Sequence, residues 1–216
     1  MRLGLIGDVH AEDERLRIAL DTLAVLRVDR VLCTGDLVDG PGDVDRTCAL
    51  LRERNVKLVR GNHDRWIKDD TMRDLPHAHR MTKLAPSSIE LIKSLVPTKT
   101  METPIGKLML CHGIGDNDMN RLVPGDHGYA ISSNDDLLKL LFDPTLAVMV
   151  GGHTHQAMVR RFERGSGKPP LFVVNAGTLA RDDNPCFGLL DCEKRRVEMS
   201  VIGADMIVRP SNVAML

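Results

Sequence analysis

Val56-Lys57-Leu58-Val59-Arg60-Gly61-Asn62-His63-Asp64 is the stretch on which the fold turns. Apolar Val56, Leu58 and Val59 read as a short buried strand, and Gly61 hands it to a loop of polar, chemically competent side chains. An α/β scaffold presents reactive groups at such strand ends, because side chains converge in the crevice beyond the carboxyl edge of the sheet. Four other stretches repeat the arrangement: Gly7-Asp8-Val9-His10 after Leu3 to Ile6, Gly35-Asp36 after Val31 to Cys33, His112-Gly113 after Leu108 to Cys111, and Gly151-Gly152-His153-Thr154-His155 after Leu146 to Val150.

Between these strands the spacing turns helical. Leu16, Ala19, Leu20 and Leu23 recur at helical intervals behind acidic Glu12, Asp13 and Glu14, which suit the positive end of a helix dipole. Val44, Cys48 and Leu51 mark a second buried stripe, with Asp43 as its cap. Short apolar strands alternating with amphipathic helices predict right-handed β-α-β crossovers and a largely parallel sheet. From Trp66 to Thr100 the pattern loosens until Ser87 and Glu90 stand at capping-box spacing ahead of a helix ended by Pro97. Pro104-Ile105-Gly106 reads as the turn of a hairpin between Thr98 to Thr103 and Lys107 to Cys111, and Ser133 to Phe142 as a helix. Beyond His155, Met158 to Phe162, Leu171 to Val174, Cys186 to Asp191 and Val197 to Ile202 read as antiparallel strands. The expected fold is mixed α/β: two facing sheets with helices outside, in one domain over residues 1–216.

Bulk properties narrow the function. A chain of 216 residues can bury roughly 70% of its unfolded surface in one core. Lys plus Arg total 29 against 30 for Asp plus Glu, so no charge excess calls for nucleic acid or an anionic membrane. The five cysteines form no Cys-x-x-Cys pair and sit largely in apolar runs, which predicts reduced, buried thiols. The first apolar run meets Asp8 too soon for a secretory segment, and no later run approaches a membrane span, so the expected location is the cytoplasm.

Asp8, His10, Asp36, Asn62, His112, His153 and His155 offer only oxygen and imidazole donors, the set that suits Mn, Fe, Ni, Zn or Co rather than a thiolate cluster. These seven are too many for one catalytic ion that keeps an open position, yet they fit two ions if a carboxylate such as Asp36 bridges.

The series Asp8-x-His10, Gly35-Asp36-x-x-Asp39, Gly61-Asn62-His63-Asp64, His112-Gly113 and Gly152-His153-x-His155 resembles, in order and spacing, the motifs of the calcineurin-like metallophosphoesterases. Asn175-Ala176-Gly177-Thr178 and Cys186 to Asp191 resemble the closing segment of that superfamily's small bacterial and archaeal phosphodiesterases. The resemblance implies a four-layer α/β/β/α sandwich. It also implies one metal on Asp8, His10, Asp36 and His155 and another on Asp36, Asn62, His112 and His153, Mn being the expected ion. A metal-bridging hydroxide would then attack phosphorus. His63 would donate to the phosphoryl or leaving oxygen, with Asp39 holding and charging its imidazole.

Other candidates read as structural. His77, His79 and His127 are expected to be solvated loop histidines, Asp116 and Asp118 to serve turns or equally to contact substrate, and Arg65, Arg121 and Arg181 to be surface charges. Where the Ser/Thr phosphatases of the superfamily carry Asp-Arg-Gly, this chain has Asp39-Gly40, lacking an arginine to grasp a dianionic monoester. That favours a small phosphodiester substrate over a phosphomonoester. A non-catalytic scaffold and a DNA nuclease rank lower, the first because the ligand set is intact, the second because no basic excess is present.

Overall fold

The computed structural model describes residues 1–165 and 167–216. The chain runs through β1 (Arg2–Ile6), α1 (Asp13–Val25), β2 (Arg30–Cys33), α2 (Val44–Glu53), β3 (Lys57–Leu58), α3 (Asn62–Asp69), a 3-10 turn (Met81–Lys83) and α4 (Pro86–Ser94). It continues through β4 (Lys99–Thr103), β5 (Gly106–Leu110), α5 (Tyr129–Ser132), α6 (Asp135–Phe142), β6 (Leu146–Gly151) and β7 (Met158–Phe162). The last strands are β8 (Leu171–Asn175), β9 (Cys186–Asp191), β10 (Arg196–Ile202) and β11 (Val208–Met215).

Period-2 burial explains the layering. In β1, Leu3 and Leu5 face a second sheet, while Ile6 faces the helices and Gly4 lies directly under Leu23 of α1. Two mixed sheets result, in the orders β11-β10-β9-β1-β2-β3 and β4-β5-β6-β8-β7. They meet over Leu3, Leu5, Leu32, Leu108, Val148, Phe172 and Val197. Outside, α1, α2 and α4 cover the six-stranded sheet with Leu16, Leu23, Cys48, Leu51 and Ile92, each buried Leu or Ile among them contributing about 1.5–3 kcal/mol relative to exposure. The other sheet is covered by Leu137 and Leu140 of α6. This is the expected α/β/β/α sandwich. The predicted stripe of α1, Leu16, Ala19, Leu20 and Leu23, is its buried set.

Register places the chemistry. Parallel pairing of Ile6 with Cys33, and of Cys33 with Leu58, brings the loops after β1, β2 and β3 to one edge. Parallel pairing of Leu110 with Val150 does the same for the loops after β5 and β6.

Several expectations need correction. Residues 62–64 are not loop: Asn62 opens α3, and the Asp64 carboxylate accepts the Gly61 N–H at 2.9 Å, satisfying a donor that a helix start leaves free. No capping box forms at Ser87 and Glu90. Pro86 takes the first helical position, where its missing N–H costs nothing, and the Ala85 N–H donates to Asp45 at 2.9 Å. The helix expected over Ser133 to Phe142 is found from Asp135 to Phe142, because Asn134 caps it by accepting the Leu137 N–H, and a short helix, α5, precedes it. The later strands are not all antiparallel, since β8 runs parallel to β6, and β11 is an additional edge strand. The five cysteines are free and buried. Among the described residues, no helix is long and apolar enough to cross a membrane.

Candidate metal centre

The loops of the six-stranded sheet are laced together before any side chain enters. Val9 and His10 N–H both donate to the Asp36 carbonyl, at 3.0 and 2.8 Å, and Ala11 N–H donates to Leu37. Buried Asp64 accepts from Leu37 N–H at 2.8 Å and from Gly61 N–H, joining the second loop to the third. Burial and the nearby Asp36 charge push the Asp64 carboxyl up to about 7. The lacing holds His10 (φ 47°), Asp36 (φ 46°) and Asp39 (φ 63°) in left-handed backbone, a conformation that costs non-glycine residues on the order of 1–3 kcal/mol each.

The five-stranded sheet answers with imidazoles. His112, just past β5, donates from Nδ1 to the Thr34 carbonyl at 2.9 Å, reaching across to the other sheet. His153 N–H donates to Asp8 Oδ2 at 2.9 Å. A Cβ on Gly152 would lie 2.1 Å from Asp8 Oδ1, so only glycine permits this approach. Asn175 braces the loop by donating to Gly152 O at 2.6 Å and to Thr154 Oγ1 at 3.0 Å, while Asp183 engages His155 Nδ1. His153 and His155 are also left-handed, at φ 68° and 59°.

The donor chemistry of this cluster fits metal ions. His10 donates from Nδ1 to the Asp39 carbonyl at 2.9 Å, so in the neutral ring its lone pair is on Nε2, and the same logic holds for His112. His10 Nε2 faces His155 Nε2 at 3.1 Å; Asn62 Oδ1 lies 2.8 Å from His112 Nε2 and 2.9 Å from His153 Nδ1; Asp36 Oδ2 lies 3.3 Å from His112 Nε2. Facing acceptors in a buried site need a cation between them: a proton on the imidazoles, as the raised pKa values of His112 and His155 supply, or a metal ion in its place. Three groups, Asp8-His10-His155, Asp8-Asp36-His112 and His10-Asp36-His63, each keep their ligand atoms within 4.8 Å of one another. The field is strongly negative. Burial alone would lower the His112 pKa, yet Asp36 and Asp8 push it up to about 10, and Asp8 and Asp183 push His155 up to about 9 against burial. Burial opposes ionisation of Asp36, but His112, His10 and His63 hold its carboxyl well below the usual range. All seven residues expected as ligands thus lie in one cluster.

His63 stands at the rim. Its N–H donates to Asp36 Oδ1 at 2.8 Å, its Nδ1 meets Asp39 Oδ2 at 2.8 Å, and the Trp66 ring packs against it with centroids 4.5 Å apart. Burial lowers the His63 pKa, but Asp39 and Asp36 outweigh it and raise the value.

Two neighbours of Asp39 escaped the sequence reading. Arg73 forks onto it, Nη1 to Oδ1 at 2.9 Å and Nη2 to Oδ2 at 2.8 Å. His79, expected in solvent, gives its N–H to Asp39 Oδ1 at 2.9 Å and accepts the Asp39 N–H on Nδ1 at 3.1 Å. The only advance signal was two polar residues in an irregular stretch. Arg65 and Arg181, expected as surface charges, form paired contacts with Asp118 and Glu12, at 2.7 Å from Nε in each case. Asp118 is therefore a buried anchor for Arg65 as well as a turn residue.

Fold and site together define a class: two-sheet α/β sandwiches that gather carboxylates and imidazoles on strand-end loops as candidate metal ligands. Residues 1–195 match the family described as the calcineurin-like phosphoesterase superfamily domain, and the chain belongs to that superfamily. The superfamily generally binds divalent metals and acts on small phosphoesters, which makes hydrolase the implied class of activity. Similar solved structures include a metallophosphoesterase from Sphaerobacter thermophilus, 18% identical, covering 95% of this chain and 91% of that one, with TM-score 0.69. Yfce, a phosphoesterase from E. coli, is 19% identical over 96% of both chains with TM-score 0.56. Vps29 from Entamoeba histolytica, in a single-mutant form, is 19% identical over 98% and 100% with TM-score 0.54. At such identities these likenesses speak for the fold. No curated protein matches the chain in sequence.

Proposed function

We propose that the protein is a metal-dependent phosphodiesterase acting through residues 1–216 as one domain. The observation that carries this reading is the meeting of Asp8, His10, Asp36, Asn62, His112, His153 and His155 with their nitrogen and oxygen atoms turned toward one another. Asp8, His10, Asp36 and His155 would hold one divalent ion and Asp36, Asn62, His112 and His153 another, with Asp36 shared. What such ions supply when bound is Lewis-acid charge at the phosphoryl oxygens and water acidic enough to act as a nucleophile near neutral pH. Oxygen and imidazole donors are compatible with Mn, our expected ion, and with Fe, Ni, Zn or Co.

The chain's own residues do the rest. His63, with Nδ1 engaged by Asp39, has Nε2 as the end available to donate to a phosphoryl or leaving oxygen. Two observations favour a diester. Arg65, Arg73 and Arg181 are each engaged by a carboxylate, which leaves none of them free to grasp a dianion. A cavity of about 470 Å³ opens beside His155, lined by Gln156, Met158, Val159, Asn184, Met199 and Ser211 among others, and offers room for a second ester substituent. Five buried free thiols favour a reduced, cytoplasmic setting.

The test strips the protein with chelator, restores Mn and compares bis-p-nitrophenyl phosphate with p-nitrophenyl phosphate. Turnover should vanish, return with metal and favour the diester. A strong preference for the monoester would overturn the substrate class, and a protein that neither takes up metal nor turns over either ester would favour a scaffold.

A further inference from the structure

Asp39 is saturated. Its side chain, 1% exposed, accepts from His63 Nδ1, from both terminal nitrogens of Arg73 and from the His79 N–H. A carboxylate offers about four lone-pair sites, and here each has a donor. Arg73 is itself held at the other end: Nε donates to Thr71 O at 2.7 Å, Nη1 to His79 O at 2.6 Å, and its side chain is 4% exposed. The stretch that carries it bends sharply, with Asp70, Met72 and His77 at positive φ, so that Arg73 and His79 both reach a residue more than thirty positions back.

A carboxylate bonded to a single imidazole can rotate and exchange its oxygens. The planar guanidinium fork removes that freedom by fixing both oxygens in one plane, which aims Oδ2 at His63 Nδ1. The ring is then set between Trp66, at 4.5 Å, and His10, at 4.9 Å with planes 87° apart. We propose that Arg73 is a positioning residue: through Asp39 it fixes the His63 imidazole in the orientation from which Nε2 delivers a proton to the departing ester oxygen. This rests on the phosphodiesterase reading. In that step the water oxygen forms the new bond to phosphorus, and the bond to the ester oxygen breaks with its electron pair left on that oxygen. His63 supplies the proton that makes it an alcohol, and the proton shed by the water restores the imidazolium.

The leaving group separates this role from simple anchoring of the 70–79 segment. A p-nitrophenolate leaves without a proton, whereas a phenolate gains from one. Arg73→Met, reconstituted with Mn, should lower kcat for methyl phenyl phosphate by about 10- to 100-fold and for methyl p-nitrophenyl phosphate by less than about threefold, with KM and metal content unchanged. In a His63→Ala background the same substitution should cost nothing further. Arg73→Lys keeps the charge without the fork and should show the same leaving-group trend at smaller size; it carries the test if the Met variant does not fold. Equal losses on both esters, or additive losses with His63→Ala, would overturn the inference while leaving the phosphodiesterase reading intact. A native protein that turns over neither diester would defeat that reading instead.

Discussion

The two sheets contribute to the centre in opposite ways. Loops of the six-stranded sheet bring the anions Asp8, Asp36 and Asp39 with Asn62 and the imidazoles His10 and His63, and they are bound to one another through the Asp36 carbonyl and the Asp64 carboxylate. Loops of the five-stranded sheet bring His112, His153 and His155, which are fixed by reaching across, to Thr34 O and to Asp8. One half is a self-supporting frame that holds all the anions; the other brings imidazoles alone, oriented in large part by that frame. Neither half holds all seven candidate ligands, so they come together only where the apolar layer between the sheets keeps the halves in register.

The largest effect should come from removing charge in the frame. Asn at position 36 retains an acceptor for the His63 N–H but loses the charge near both His10 and His112. Asp36→Asn should lower kcat/KM by at least ~10³-fold, about 4 kcal/mol, with metal content falling in parallel. His153→Gln, which removes one base from the other half, should cost less. If the histidine variant proves the more damaging by kinetics and metal analysis, the asymmetry between the halves is not what holds the centre.

A smaller effect sharpens the seam. A Cβ at Gly152 would meet Asp8 Oδ1 at 2.1 Å and Thr34 Oγ1 at 2.4 Å, both belonging to the opposite sheet. Gly152→Ala should therefore push the two halves apart locally and weaken metal affinity by about 10- to 100-fold, the usual size of a disturbed ligand support. Calorimetric titration with Mn would measure it, and unchanged affinity would mean that the loop has slack.

What could be read in advance follows the same division between local and distant. Buried parallel strands announce themselves as continuous apolar runs, and the Gly-Asp, Asn-His and Gly-His pairs that end them lie beside those runs in the chain, so the strand ends and the seven candidate donors they carry were legible. The helical start at Asn62 was hidden because α3 buries a single apolar side chain, Ile67, and so lacks a stripe. β11 was hidden because its burial does not alternate and Pro210 interrupts it. The pairing of Arg73 and His79 with Asp39 was illegible for a deeper reason: a contact spanning 34 residues through irregular backbone leaves no periodic trace.

The smallest effect is a pH contrast between the halves, read from the melting temperature of chelator-treated protein. Burial raises the Asp39 pKa, but His63, Arg73 and the His79 N–H more than offset this and leave the carboxyl below its ordinary value. A depressed carboxyl contributes stability above its unfolded pKa of about 3.9 and loses it as pH falls through the folded value. His155 is the reverse case: raised to about 9, it contributes fully below its unfolded pKa of about 6.5 and loses that contribution as pH rises through 9. Asp39→Asn should therefore melt lower than the native protein at pH 7 by several degrees, given about 2–4 °C per kcal/mol at this size, with the gap narrowing below pH ~4. His155→Gln should show a gap that narrows instead as pH rises from about 6.5 and has closed by pH ~9. The frame would then fail in acid and the bases in alkali. Gaps that close on the same side for both variants would mean that the two halves are not electrostatically distinct.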